Sequence, residues 1–298
     1  MKKVIIYALA LVAYCTVANA QSIIDADDQR NPNDFYQKGI VVGKKAMPYP
    51  FLRESDVVWE CVIWREIDFN EKFNQFFYFP VSTENDTQGR ISLINLIMKG
   101  VRNGEIPTYE DDDMIKELDV EAALKMLSGD PIPVQEAVTD EEGNPIYDEE
   151  TGEIMERTVY KTRDIDIADI TKIQIKEKWY IDKQDSRMKV RIVGLRFHFM
   201  KELLAGGFSD ELSFCIPMDD MRVRQLFVNA NAYDDNNDVV ERSYDDIFIQ
   251  RYFDSYVVRE SNVYNRKLTD YLTGQDAILQ SQMIEERIFD IESDMWEY

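Results

Sequence analysis

The chain holds one histidine, His198, in Arg196-Phe197-His198-Phe199. A single imidazole cannot build a multi-histidine zinc centre. As a general base it would need a nucleophile at hand, and no G-x-S-x-G elbow occurs. Strand alternation puts His198 opposite Phe197 and Phe199, beside Arg196, on the solvent side. The phosphate-cradling patterns G-x-x-x-x-G-K-[ST] and G-x-G-x-x-G are absent too. Asp234, Asn236 and Asp238 fit positions 1, 3 and 5 of a calcium loop. Position 6, where the sharp turn needs glycine, is Val239, and position 12 is Asp245 rather than glutamate. Carboxylates are so abundant that no pair stands out for acid–base work. The residues therefore predict no catalytic group, no cofactor and no metal.

Cysteine chemistry is equally sparse. Cys15 lies in a stretch with the features of a signal peptide: Lys2 and Lys3, an apolar run from Val4 to Ala13, and Ala18-Asn19-Ala20 as a cleavage site. That run is too short to cross a bilayer, which takes about 20 residues. Tyr14 is too bulky for the residue that usually precedes a lipidated cysteine. The expectation is a periplasmic chain cut after Ala20, and no other apolar run is long enough to span a membrane. Cys61 and Cys215 remain. They could pair across a Cα separation of about 4.4–6.8 Å, but their apolar surroundings favour free thiols.

With 57 acidic and 34 basic residues the net charge is −23, and loss of Lys2 and Lys3 with the leader makes it −25. Such a surface repels nucleic acid and anionic headgroups and suits a basic partner. Sixteen Tyr, fifteen Phe and four Trp supply enough apolar area for a sizeable core.

Several elements must carry these residues. Residues 21–46 read as an extended polar arm, and 47–298 as a single domain. Ser55 is placed to cap a helix running to about Ile67, through Val58, Cys61, Val62 and Arg65. Phe76 to Pro80 reads as a short aromatic strand, and Ile91 to Arg102 as an amphipathic helix stopped near Gly104. Asp119 caps a short helix that ends at Gly129. Two acidic glycine turns, Asp140-Glu141-Glu142-Gly143 and Asp148-Glu149-Glu150-Thr151-Gly152, make 138–153 an exposed excursion. The period-two pattern over 173–200, broken at Asp182 to Ser186, predicts a long central hairpin with one buried and one polar face. Ser243 and Asp246 form a capping box, and a last helix runs from about Gln275 to Glu292. Without regular βαβ units, the expected class is α+β: an antiparallel sheet packed with several amphipathic helices.

Four stretches, in order, resemble the GldN/PorN family of the type IX secretion and gliding machinery. They are Tyr49-Pro50-Phe51-Leu52-Arg53-Glu54-Ser55-Asp56-Val57-Val58-Trp59 with Ile63-Trp64-Arg65-Glu66-Ile67-Asp68; Glu177-Lys178-Trp179-Tyr180 with Asp182-Lys183-Gln184; Arg242-Ser243-Tyr244-Asp245-Asp246-Ile247-Phe248 with Glu260-Ser261-Asn262-Val263-Tyr264-Asn265-Arg266; and Asp294-Met295-Trp296-Glu297-Tyr298. The acidic turns and Cys61 depart from the family pattern. The resemblance implies a non-enzymatic periplasmic ring subunit. It would join an outer-membrane lipoprotein of the GldK/PorK kind, contact a GldM/PorM-like inner-membrane protein, and associate with itself. The competing readings are an exported module binding peptide or carbohydrate on its aromatics, and a hydrolase using scattered carboxylates. Tryptophan and arginine dominate interface hot spots, so Arg53, Trp59, Trp64 and Arg65 are the candidate partner-binding residues, with Trp296 as the alternative site.

Overall fold

Seven of the twelve residues in Val57–Asp68 are β-branched or aromatic, and they form a strand, β1, rather than the expected helix. The misreading has a physical cause. Toward its C-terminal end both faces of β1 are covered, so Ile63, Trp64, Glu66 and Ile67 are all buried and the period-two pattern is hidden. The structure, a computed structural model, describes residues 44–81, 90–128, 132–137, 156–161, 169–203, 207–233, 237 and 241–295. The expected leader, most of the expected arm, the expected acidic excursion, Asp234, Asn236, Asp238, Val239 and Trp296 lie outside these residues. The chain divides into two units between Lys44 and Lys45, and every described strand and helix belongs to the second.

The central hairpin pairs β6 (Ile170–Asp182) with β7 (Arg187–Glu202). Asp182 closes its turn, accepting from the Gln184 amide through Oδ1 at 3.0 Å and from the Ser186 amide through its carbonyl at 2.8 Å. Together with β1, β2 (Thr108–Tyr109), β3 (Glu117–Leu118), β8 (Phe208–Pro217) and β9 (Tyr256–Glu260), these two strands build a seven-stranded antiparallel sheet in the order β3-β2-β8-β7-β6-β1-β9. Two further strands, β4 (Ile132–Ala137) and β5 (Glu156–Lys161), flank the excursion and pair with each other. The class is α+β, as the sequence pattern implies.

Register sorts the two faces of the sheet. The row Ile67–Ile173–Phe197 points into the main core, as does Ile175–Leu195–Ile216. The intervening rows Glu66–Gln174–Arg196–Cys215 and Trp64–Lys176–Gly194 point the other way and make the opposite face polar. The main core is completed by α1 (Leu93–Arg102), α2 (Val120–Leu127), α3 (Met221–Val228) and α4 (Tyr244–Gln250). Ser243 caps α4 as expected, accepting from the Asp246 amide, but the return half of the capping box differs: the Asp246 carboxylate accepts from the Ser243 hydroxyl at 2.6 Å. The segment expected as an aromatic strand, Phe76 to Pro80, is not one: Phe76 and Phe77 close a 3-10 helix, Lys72–Phe77, and Tyr78 to Pro80 follow it without regular structure. There the rings, not a hydrogen-bond ladder, set the geometry: Phe77 packs on Tyr244 and Phe248, and Phe73 on Tyr252.

A second, smaller core holds the last helix, α5 (Gln275–Asp294), against the sheet edge. Ile284 and Ile288 meet Ile63, Val257 and Leu268. Ser281 accepts the Val257 amide at 3.0 Å, so α5 also covers a donor of the edge strand.

Candidate interaction surface

On a strand, residues 59 and 64 lie on opposite faces, because their separation is odd. Trp59 shares a face with Cys61 and Ile63 and is half-buried. Trp64 sits on the polar face and is 7 % exposed. Its indole N–H donates to Asp112 Oδ2 at 2.8 Å, with the Arg259 guanidinium 3.5 Å above the ring centre and Lys176 Nζ 5.4 Å from it. Asp112 also accepts from Arg259 at 2.9 Å through the same oxygen and from Lys176 at 2.8 Å through its carbonyl. Burial alone would raise the Asp112 carboxyl, but Lys176, the Trp64 N–H and Arg259 outweigh it and hold it below its ordinary value. The loop bearing Asp112 can descend onto this face because the facing residue is Gly194. A Cβ there would come within 2.6 Å of Met114 Cε and 2.9 Å of Cys215 Sγ.

Arg65, on the other face, ties β1 to its neighbours. It donates to Ser255 Oγ at 2.9 Å, to the Ser255 carbonyl at 3.0 Å and to Glu285 on α5 at 2.5 Å. Arg53 lies ahead of β1 and is exposed. The segment before it is pinned from beneath. Arg191 donates to the Pro50 carbonyl at 2.6 Å, and Arg224 donates to the Met47 carbonyl while lying 4.4 Å from the Tyr49 ring centre. Arg224 and Asp245 form a buried two-pronged ion pair at 2.9 and 3.0 Å. Asp245 thus spends both oxygens where the calcium-loop pattern would have it bind a cation. The sequence candidates therefore separate: Arg53 and Trp59 retain solvent-facing area, whereas Trp64 and Arg65 are engaged within the fold.

His198 stands opposite Phe197 and Phe199, as alternation dictates, but it is not on the solvent side: it is 6 % exposed. Long neighbours on the polar face cover it. Nδ1 lies 3.1 Å from Asp210, and Nε2 lies 3.2 Å from Glu66 Oε1 without the alignment of a hydrogen bond. Glu66 accepts from Tyr256 at 2.8 Å, and Tyr256 accepts from Lys172 at 3.1 Å. Burial pushes Glu66 up, but His198, Tyr256 and Lys172 together bring it below the ordinary glutamate value. Burial raises the Tyr256 phenol to about 12. This cluster was not legible in the sequence, since its members come from β1, β6, β7, β8 and β9.

Both thiols are free. Cys61 and Cys215 lie on β1 and β8 with β6 and β7 between, a gap of about 14 Å at ~4.8 Å per strand, so they cannot bridge. Burial raises each to about 11, with the Glu260 charge adding to the effect at Cys61. Among the described residues no group of three or more His, Cys, Asp or Glu is arranged to hold a metal, and no helix is long and apolar enough to cross a membrane. A hollow of about 910 Å³ is lined by Phe73, Phe76, Phe79, Tyr233 and Tyr252, with Lys72 and Arg242 at its walls.

Residues 52–297 match the family model described as "Gliding motility associated protein GldN". A search of curated proteins found no match.

Proposed function

The chain belongs to the GldN family, which associates it with gliding motility and type IX secretion, and from that premise we propose that it is a non-enzymatic structural subunit of the periplasmic secretion ring. In this reading it joins a GldK/PorK-like outer-membrane lipoprotein, contacts a GldM/PorM-like inner-membrane protein and associates with further copies of itself. The observation that carries the proposal is the extent of the family match, which runs from the residue before Arg53 through the whole sheet and α5. The polar groups around β1 add support. Trp64, Arg65, Glu66 and Asp112 find their partners within the fold, as expected of a framework element.

The lipoprotein meets the segment Met47–Asp68 through Arg53 and Trp59. Trp64 and Arg65 act behind them by fixing β1, and Trp296 is the alternative contact. The test is copurification from cell envelopes, with cross-linking in intact cells. Arg53→Ala with Trp59→Ala should release the chain from the lipoprotein while leaving its thermal midpoint within a few degrees of the parent. Parental copurification by a normally folded double variant would move the interface elsewhere.

The aromatic hollow favours a second reading, an exported module that binds peptide or carbohydrate. Such a module would purify without a membrane-bound partner.

A further inference from the structure

The loop after β9 holds two apolar side chains out into solvent. Val263 is 97 % exposed and Tyr264 is 73 % exposed. The residue before them fixes their position. Asn262 Oδ1 accepts from the amides of Tyr264 at 3.1 Å and Arg266 at 3.0 Å, and its Nδ2 donates to the carbonyls of Glu260 and Arg266, each at 2.9 Å. The Arg266 guanidinium lies 4.3 Å from the Tyr264 ring centre and has no carboxylate partner among the described residues. A tyrosine and an arginine on a preformed loop lose little freedom on binding, which suits them to anchor in a pocket.

The same chain carries a pocket of matching character. The aromatic hollow of about 910 Å³ has room for both tip side chains, and its rings Phe73, Phe79 and Tyr233 keep solvent-facing area. Phe73 and Tyr252 pack 4.8 Å apart in its wall. Two residues from these rings lie Glu71 and Asp254. Burial and the charges of Asp254 and Asp68 push the Glu71 carboxyl up, and no base among the described residues offsets them. The hollow thus has an acidic lip short of positive charge, and the tip carries an arginine without an acid.

One copy cannot join the two. The Ser261 amide donates to the Val62 carbonyl at 2.9 Å, which sets the tip beside Val62. Asn74, in the 3-10 helix of the hollow, donates to the Asp68 carbonyl at 3.0 Å, at the far end of β1. Six residues of strand, about 20 Å, separate these points, and Asn262 keeps the loop from crossing. We infer that the tip formed by Val263 and Tyr264 on one copy docks in the aromatic hollow of another, with Tyr264 among the rings and Arg266 against Glu71 and Asp254. Lys72 and Arg242 in the walls favour an aromatic guest. The unlike charges at the lip counter the general repulsion between two acidic chains. Because tip and hollow are different surfaces, the contact is head to tail and repeats from copy to copy, giving a ring where the rotation closes. The inference rests on the self-association in the ring proposal and names its surfaces.

The test is sedimentation of the purified mature chain. The parent should associate as its concentration rises. Val263→Ser with Tyr264→Ser in the tip, and Phe79→Ser with Tyr233→Ser in the hollow, should each weaken association at least about tenfold while the thermal midpoint stays parental. Mixed together, these two variants should form a heterodimer and nothing larger, because the hollow of the first meets the tip of the second. Misfolded variants could not give that gain. Arg266→Glu should weaken association likewise, and Asp254→Arg added to it should restore it; this exchange leaves the rings alone and serves even where the hollow variant unfolds. A parent that stays monomeric at every concentration, a tip variant that associates like the parent, or folded variants whose mixture stays monomeric would overturn the inference. So would failure of Asp254→Arg to restore any association. Copurification with the lipoprotein reads the ring proposal separately. Its absence in the parent would sink that proposal, whereas a tip variant that still self-associates would sink only the contact inferred here.

Discussion

Trp64 is held by an acid through its N–H and by two cations over its ring, so its value to the protein is internal. Trp64→Ala should lower stability by about 3–5 kcal/mol, as measured by denaturant unfolding, because the cavity opens beneath a charged cluster. A loss below about 1 kcal/mol would show that the cluster closes over the gap. Glu66 and Asp112 set the acid limit. Both carboxyls are depressed in the folded chain, so each contributes stability that is complete above its ordinary value, 4.5 and 3.8, and is lost as pH falls through the folded value. The thermal midpoint should therefore fall below about pH 4. Glu66→Gln should start lower at pH 7 and converge on the parent as acid is added; parallel curves down to pH 3 would rule out this linkage. The side of the sheet that His198 occupies was legible from its neighbours. Its burial was not, because Glu66, Asp210 and Tyr256 arrive from distant parts of the chain.

Elements were legible in proportion to how cleanly one face was buried. The β6–β7 hairpin has a single apolar face along most of its length, and period two shows it. The α4 start is local chemistry, three residues from Ser243 to Asp246. Ser243→Ala should cost about 1 kcal/mol by removing the acceptor for the Asp246 amide, and Ser243→Thr, which keeps a hydroxyl able both to accept from that amide and to donate to the Asp246 carboxylate, should restore most of it. Equal stability of parent and Ala variant in urea unfolding would mean that the helix start is held by packing alone. β1 failed as a sequence reading for the opposite reason. Val58, Cys61, Val62 and Arg65 satisfy helical spacing by accident, since Ile63 and Trp64 are both buried, on opposite faces. The β-branched and aromatic content was the signal that should have decided the matter. Lys72–Phe77 misled similarly: a run of aromatics resembles a strand, but its rings pack in several directions at once.

At the scale of the molecule, the sheet supports two cores of unequal size on one face. The larger joins the hairpin to α1 through α4, and the smaller seats α5 on β1 and β9. This division was hidden from the sequence because its ties span great lengths of chain: Arg65 reaches Ser255 and Glu285, about 200 residues away. It has a thermodynamic consequence. A helix held by Ile284, Ile288, the ion pairs of Glu285 with Arg65 and of Arg287 with Glu260, and the Ser281 contact has fewer buried groups to lose than the hairpin, so it should open first. Amide exchange should be faster throughout α5 than in β6 and β7 under native conditions. Ile284→Ala removes a side chain that is 2 % exposed at the centre of the small core and should cost that core about 2–5 kcal/mol. If the two cores open separately, the variant will lose protection in α5 while the amides of β6 and β7 keep parental rates. If protection falls together in α5 and the hairpin, the sheet transmits the loss and the unit from Lys45 onward opens as one.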